Sequence, residues 1–197
     1  NTKTVRLSGL TDHILETDQL RILNEMPSSG RFDIVIFPII DWHFRIQRPQ
    51  HLARELAKRG HRVFYLTVTP RGGAVEPGFR LLEMPEPGVF VCELQVRRTK
   101  KFDLYGGKVW PEDVAEIRSA LEALWRAHRI GESVSIVQHP SWCNVVTAIP
   151  ANFLVYDCMD HHAGFSTHTP DVGRHERQLL KSSDLVVVTS EWLVLPS

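Results

Sequence analysis

The chain of 197 residues has no apolar run approaching the ~20 residues that cross a bilayer, so no transmembrane helix is expected. It has no surplus of charge either. Lys and Arg number 23, as do Asp and Glu, so no bulk field draws it to nucleic acid or acidic polymers. Cysteine is scarce. Cys92, Cys143 and Cys158 show neither CxxC spacing nor an even count, and each lies in or beside an apolar segment. They read as small buried hydrophobes in a reducing, cytoplasmic compartment. The start, Asn1-Thr2-Lys3, has neither an initiating Met nor a signal-type apolar stretch. The first residue is therefore expected to be a processing boundary or a cut from a longer chain.

What is present is an alternation of apolar strands and amphipathic helices. Residues 1–30 are the least regular, with Leu10, Ile14, Leu15 and Ile22 hinting at a short helix and Pro27-Ser28-Ser29-Gly30 at a linker. They are taken as an arm or linker, and 31–197 as one domain. From Asp33 to Ile40 the chain is almost continuously apolar, as in a strand buried on both faces. A helix is expected over 49–59 with Gly60 as its stop, then a strand over 61–68. The stretch from Pro70 to Gly88 is rich in Pro and Gly and reads as loop with room for a short strand. Val89–Gln95 is a third strand.

Pro111-Glu112-Asp113 opens the clearest helix, with a proline in its first turn and acids at the positive end of the dipole; Gly131 is expected to close it. Strands follow at 134–138, 153–156 and 185–189, with a short helix over 142–149 and a longer one over 171–183. Ser190-Glu191 resembles the cap of a further helix. This pattern predicts a doubly wound, Rossmann-like α/β fold: about six parallel strands with helices on both faces.

In such a sheet, ligands bind outside the carboxyl ends of the strands, near the point where strand order reverses. Three loops then hold the candidates: 40–50 after the first strand, 139–142 after the fourth, and 157–162 after the fifth. In the first, Pro49 suits a first helical position, and Arg45 and Arg48 precede it, a setting for a diphosphate or carboxylate. The competing structural reading pairs one of these arginines with Asp41 or Asp157 and lets Trp42 pack. No glycine lies between Arg31 and Arg59, so the loop is not a dinucleotide fingerprint, and no GxxxxGK[ST] is present.

Asp157, Asp160, His161 and His162 form a second group, with His139, His168, His175 and Glu176 elsewhere. A single acid/base or hydroxyl-binding carboxylate fits them better than a metal, because adjacent His161-His162 do not both face one ion and no HExxH pair occurs. His162 and His168 read as solvent-exposed. The run Arg97–Lys101 reads as a solvated basic loop that could also meet anionic head groups.

The segment Trp42-His43-Phe44-Arg45-Ile46-Gln47-Arg48-Pro49-Gln50-His51-Leu52-Ala53, with Leu56–Tyr65 after it, resembles the opening of bacterial GT-B glycosyltransferases of the teichuronic-acid-biosynthesis type (family-4-like). Val155–Asp160, Glu176–Leu180 and Ser183–Ser190 resemble further segments of the same group. The resemblance implies the N-terminal, acceptor-side domain of a two-domain enzyme whose C-terminal donor-binding domain is not in this chain. It implies a nucleotide-sugar donor as substrate, no cofactor or metal, and a glycan or lipid-linked acceptor. It further implies a cytoplasmic setting with peripheral association at the inner membrane face. By this analogy His139 lies near the reacting sugar and Asp160 binds or activates the acceptor hydroxyl. Trp42, Arg45, Gln47, Arg48, Trp142, Asp157 and His161 are the candidate substrate contacts. A non-catalytic sugar- or nucleotide-binding module and a metal-dependent hydrolase are the alternatives.

Overall fold

A computed structural model describes residues 3–6, 31–97, 110–160 and 170–189, with backbone alone for 3–6 and 170. The strands are β1 (Lys3–Arg6), β2 (Asp33–Phe37), β3 (Arg62–Leu66), β4 (Gly78–Glu86), β5 (Val89–Gln95), β6 (Ser133–Val137), β7 (Asn152–Cys158) and β8 (Leu185–Val188). The helices are α1 (Arg48–Lys58), α2 (Pro111–His128), α3 (Cys143–Val146, entered through a 3₁₀ turn at Pro140–Trp142) and α4 (Pro170–Ser182).

Among the described residues the strands form one sheet in the order β1-β8-β7-β6-β2-β3-β5-β4. All neighbours pair in parallel except β4 and β5. The six strands expected from sequence are β2, β3, β5, β6, β7 and β8. Numbered among themselves, they run 3-2-1-4-5-6 across the sheet, the doubly wound order, which reverses between β2 and β6.

Alternation along each strand feeds two cores. Val35 and Phe37 of β2 point to the face covered by α2, α3 and α4, where Phe64, Leu66, Leu94, Ile117, Leu124, Trp142 and Leu179 pack. Ile34 and Ile36 point to the opposite face with Val63, Tyr65 and Val91, under Ala53 and Leu52 of α1. A strand with both faces covered has no polar positions to alternate, which explains the unbroken apolar run.

The two further strands lie at the sheet edges. Lys3–Arg6, within the stretch read as an arm, pairs with β8; the short helix read around Leu10–Ile22 lies outside the described residues. The stretch read as loop with a short strand holds the nine-residue β4, which turns back onto β5 through Gly88 at φ 86°. An edge strand tolerates Pro85 because its missing N–H costs no ladder bond there, and two register shifts interrupt the pairing.

Helix α1 stops as expected, with the Gly60 N–H donating to the Ala57 carbonyl at 2.9 Å. Helix α2 does not wait for Gly131. Arg129 takes the left-handed position at φ 52°, and the Ile130 N–H reaches back to the Trp125 carbonyl at 2.9 Å. A non-glycine residue there is uncommon.

Candidate functional site

The crevice at the strand-order reversal lies where the chain leaves β2 and β6. Its first wall, residues 38–47, is held by a side chain outside the candidate set. Gln50, fully buried in the first turn of α1, donates through Nε2 to the carbonyls of Asp41 (3.3 Å), Trp42 (3.1 Å) and Arg45 (2.7 Å). Its Oε1 accepts from the Gln47 N–H at 3.0 Å. One amide thus ties down both ends of the loop and uses one of the helix's orphan donors. Asp41 accepts from the Val68 N–H at 2.7 Å, and the Tyr65 hydroxyl donates to the Ile40 carbonyl at 2.7 Å, which fastens this loop to the end of β3.

Trp42 is the packed residue of this loop. Its ring meets Tyr65 edge-on at 5.1 Å, and the Arg54 guanidinium lies 5.5 Å from its centroid. Trp142 is fully buried too, its Nε1–H donating to the Pro38 carbonyl at 3.1 Å. Both indoles support the crevice from within rather than line it, the structural reading weighed for Trp42. Arg45 and Gln47 are exposed, and the Arg45 guanidinium sits 5.6 Å from the Phe44 ring. His43 at the loop's tip bonds Glu83 on β4.

The centre of the site joins residues 109 apart in sequence. Arg48 donates through Nε to both oxygens of Asp157 at 3.1 Å and through Nη2 to Oδ1 at 2.9 Å. The carboxylate side chain is 2% exposed and the guanidinium side chain 34%. On its other side, Asp157 Oδ2 accepts from Gln138 Nε2 at 3.1 Å. Gln138 is fully buried at the end of β6, its backbone N–H donates to the Phe37 carbonyl at 3.0 Å, and its Oε1 has no partner among the described residues. So β2's helix, β6 and β7 are linked at one point. With four hydrogen bonds already accepted, Asp157 is committed to holding Arg48 in place. These bonds use Nε and Nη2 of Arg48 and leave Nη1 without a partner among the described residues.

Asp160 is half-buried just beyond β7, and its carboxylate forms no hydrogen bond among the described residues. It is the carboxylate of this group that can still accept from a hydroxyl. His139 sits at the carboxyl end of β6, but its ring is fully buried, and Nδ1 accepts from the Ser141 N–H at 3.2 Å. It caps the 3₁₀ turn. His161, His162 and His168 lie outside the described residues, as do residues 98–101 of the basic run; Arg97 pairs with Glu116 at 2.7 Å. Cys158 offers no nucleophile, because burial pushes its thiol up to about 11. Among the described residues no group of three or more His, Cys, Asp or Glu side chains gathers as metal ligands would.

Sequence reasoning missed Gln50 and Gln138. The available signals were a glutamine in a helix's first turn and a glutamine directly after the buried strand β6.

Strand order and pairing together define a doubly wound, Rossmann-like α/β domain. No family model matches the chain, and no curated protein matches it. Similar solved structures include a starch synthase and two trehalose-phosphate synthases. The catalytic domain of starch synthase IV from Arabidopsis thaliana, bound to ADP and acarbose, is 10% identical with a TM-score of 0.40, over 67% of this chain and 34% of that one. An α,α-trehalose 6-phosphate synthase from Burkholderia multivorans is 13% identical with a TM-score of 0.42, over 80% and 39%. A UDP-forming α,α-trehalose-phosphate synthase from Burkholderia xenovorans, in complex with glucose-6-phosphate, is 15% identical with a TM-score of 0.41, over 80% and 40%. The chain thus spans less than half the length of these structures. Likeness of this degree assigns no residue role.

Proposed function

We propose that this chain is the acceptor-side domain of a GT-B glycosyltransferase. The whole protein would transfer a sugar from a nucleotide-sugar donor to a saccharide or lipid-linked acceptor in cell-surface polysaccharide synthesis. The observation that carries this reading is the Arg48–Asp157–Gln138 link. It fastens together, at the sheet's reversal point, the two most family-like segments, Trp42–Ala53 and Val155–Asp160.

In this reading Arg48, with Arg45 and Gln47 beside it, faces an anionic part of the substrate. Charge developing on a leaving diphosphate is met by side chains rather than by a metal. Asp160 takes the acceptor hydroxyl. His139 positions the turn behind the reacting sugar, Trp42 and Trp142 hold the loops, and His161 extends the wall beyond Asp160. The enzyme works in the cytoplasm, peripherally at the inner membrane face; among the described residues no helix is long and apolar enough to cross a membrane.

The test is a panel of nucleotide sugars offered to the full-length protein, read as donor hydrolysis and transfer to glycan acceptors. One donor should be turned over, and Asp160→Asn should lower kcat at unchanged thermal stability. Donor binding without turnover would indicate a binding module instead. Metal-dependent hydrolysis abolished by chelation would indicate the hydrolase alternative.

A further inference from the structure

A second concavity lies at the other end of the sheet. It is bounded by the carboxyl-terminal half of α2 and by residues 148–150, which lead into β7, and encloses about 670 Å³. Ligand pockets for small molecules span roughly 300–1,000 Å³. Its apolar floor includes Leu121, Ile130 and Ile149, and Trp125 stands at the side. Three arginines, Arg118, Arg126 and Arg129, line it with one acidic residue, Glu122. None of these four side chains forms an ion pair among the described residues, although Glu122 is one helical turn from both Arg118 and Arg126.

Basic residues in the last turns of α2 also complement its dipole, which accounts for their presence but not for two further features. The Trp125 Nε1–H is buried with no acceptor among the described residues. Nearly every buried donor in a folded protein has a partner. Among the described residues the non-glycine residues with positive φ are Arg129 (52°), which lines this concavity, and Ala151 (49°), which follows its lining residue Pro150. Glycine would relieve both positions, so the arginine at 129 is held in a strained conformation beside the other two guanidiniums.

We propose that this groove is a second ligand site, for a small anion attached to an aromatic or otherwise apolar body. The anion would sit among Arg118, Arg126 and Arg129, and the apolar body on Leu121, Trp125 and Ile149. The site is at the amino ends of β6 and β7, so it stands or falls independently of the crevice at their carboxyl ends.

The probe is 1-anilinonaphthalene-8-sulfonate, an aromatic sulfonate, titrated into the whole protein by fluorescence and by ¹H–¹⁵N spectra. The Trp125 indole peak is assigned through Trp125→Phe. Saturable one-to-one binding is expected, with a shift of that peak. Arg126→Gln with Arg129→Gln should weaken binding at least ~10-fold, the scale of losing charge-assisted hydrogen bonds. Glu122→Gln should tighten it. Arg129→Gly relaxes the backbone, so it should weaken binding while holding or raising Tm, which separates loss of the site from loss of the fold. Arg48→Ala should leave binding unchanged.

Equal binding of the uncharged N-phenyl-1-naphthylamine would overturn the proposal and leave a plain apolar groove. So would binding insensitive to the arginine variants. Displacement of the dye by an acidic peptide, but not by pyrophosphate or aromatic phosphates, would assign the groove to a protein partner instead.

Discussion

Removing Arg48 strands a carboxylate that is almost wholly buried. Asp157 would keep the hydrogen bond from Gln138 and lose the three from Arg48. Breaking a buried ion pair from one side costs about 3–5 kcal/mol. The guanidinium side chain is a third exposed and water can enter behind it, so the expected cost of Arg48→Ala is at the lower end, about 3 kcal/mol. For a chain of this size that lowers Tm by roughly 6–12 °C. Asp157→Asn keeps the shape and an acceptor oxygen for Arg48, and should cost less, about 1–2 kcal/mol. Once Asp157 is neutral, removing Arg48 no longer leaves a buried charge. The double variant should therefore fall short of the sum by about 1.5 kcal/mol or more. The cycle is measured by urea unfolding of the four proteins at pH 7.5. Additivity within about 0.5 kcal/mol would refute the coupling. So would an Arg48→Ala protein with wild-type Tm.

Gln50→Ala should cost about 1–3 kcal/mol and speed hydrogen exchange at Phe44, whose N–H donates to the Asp41 carbonyl at 3.1 Å; unchanged exchange would show that the loop does not depend on the amide. Burial raises Cys92 to about 12 and Cys143 and Cys158 to about 11, so native protein at pH 8 should be inert to Ellman's reagent and all three thiols should react in denaturant. Rapid native labelling at Cys158 would contradict its burial. Burial holds the His128 and His175 rings below their usual 6.5, so the unfolded chain binds protons there more readily. Their contribution to stability is present above about pH 6.5 and is lost as pH falls toward the lowered folded values. Urea midpoints should therefore drop between pH 7.5 and 5.5, and His175→Gln should flatten the slope; a slope that survives in both His175→Gln and His128→Gln would overturn this.

Most interior strands were legible because both of their faces are covered: β2, β3, β5 and β7 feed both cores, and so does β6 around Ser133 and Ser135, while β8 is the short apolar run Leu185–Val188. Helix starts at Pro49 and Pro111 were legible because a proline needs no donor there. Edge elements were not. β4 carries Pro85 and β1 is four residues long, and an edge strand need satisfy only one neighbour. The end of α2 was misplaced by two residues because a glycine at 131 is a stronger sequence signal than the arginine that takes the left-handed turn.

At the site, local sequence determined which residue types crowd the carboxyl-end loops, and the doubly wound order determined that those loops converge. Only the tertiary structure decided how they divide the work. Arg48 and Asp157 are 109 residues apart, and no local pattern says that their charges satisfy each other. Trp42 and Trp142 are aromatic in sequence, and only burial shows that they pack. Arg45 is exposed and Asp160 half-buried, while the guanidinium and carboxylate that meet inside are those of Arg48 and Asp157. Pairing and burial depend on contacts between distant segments, and a sequence read along its length carries those contacts only through the fold.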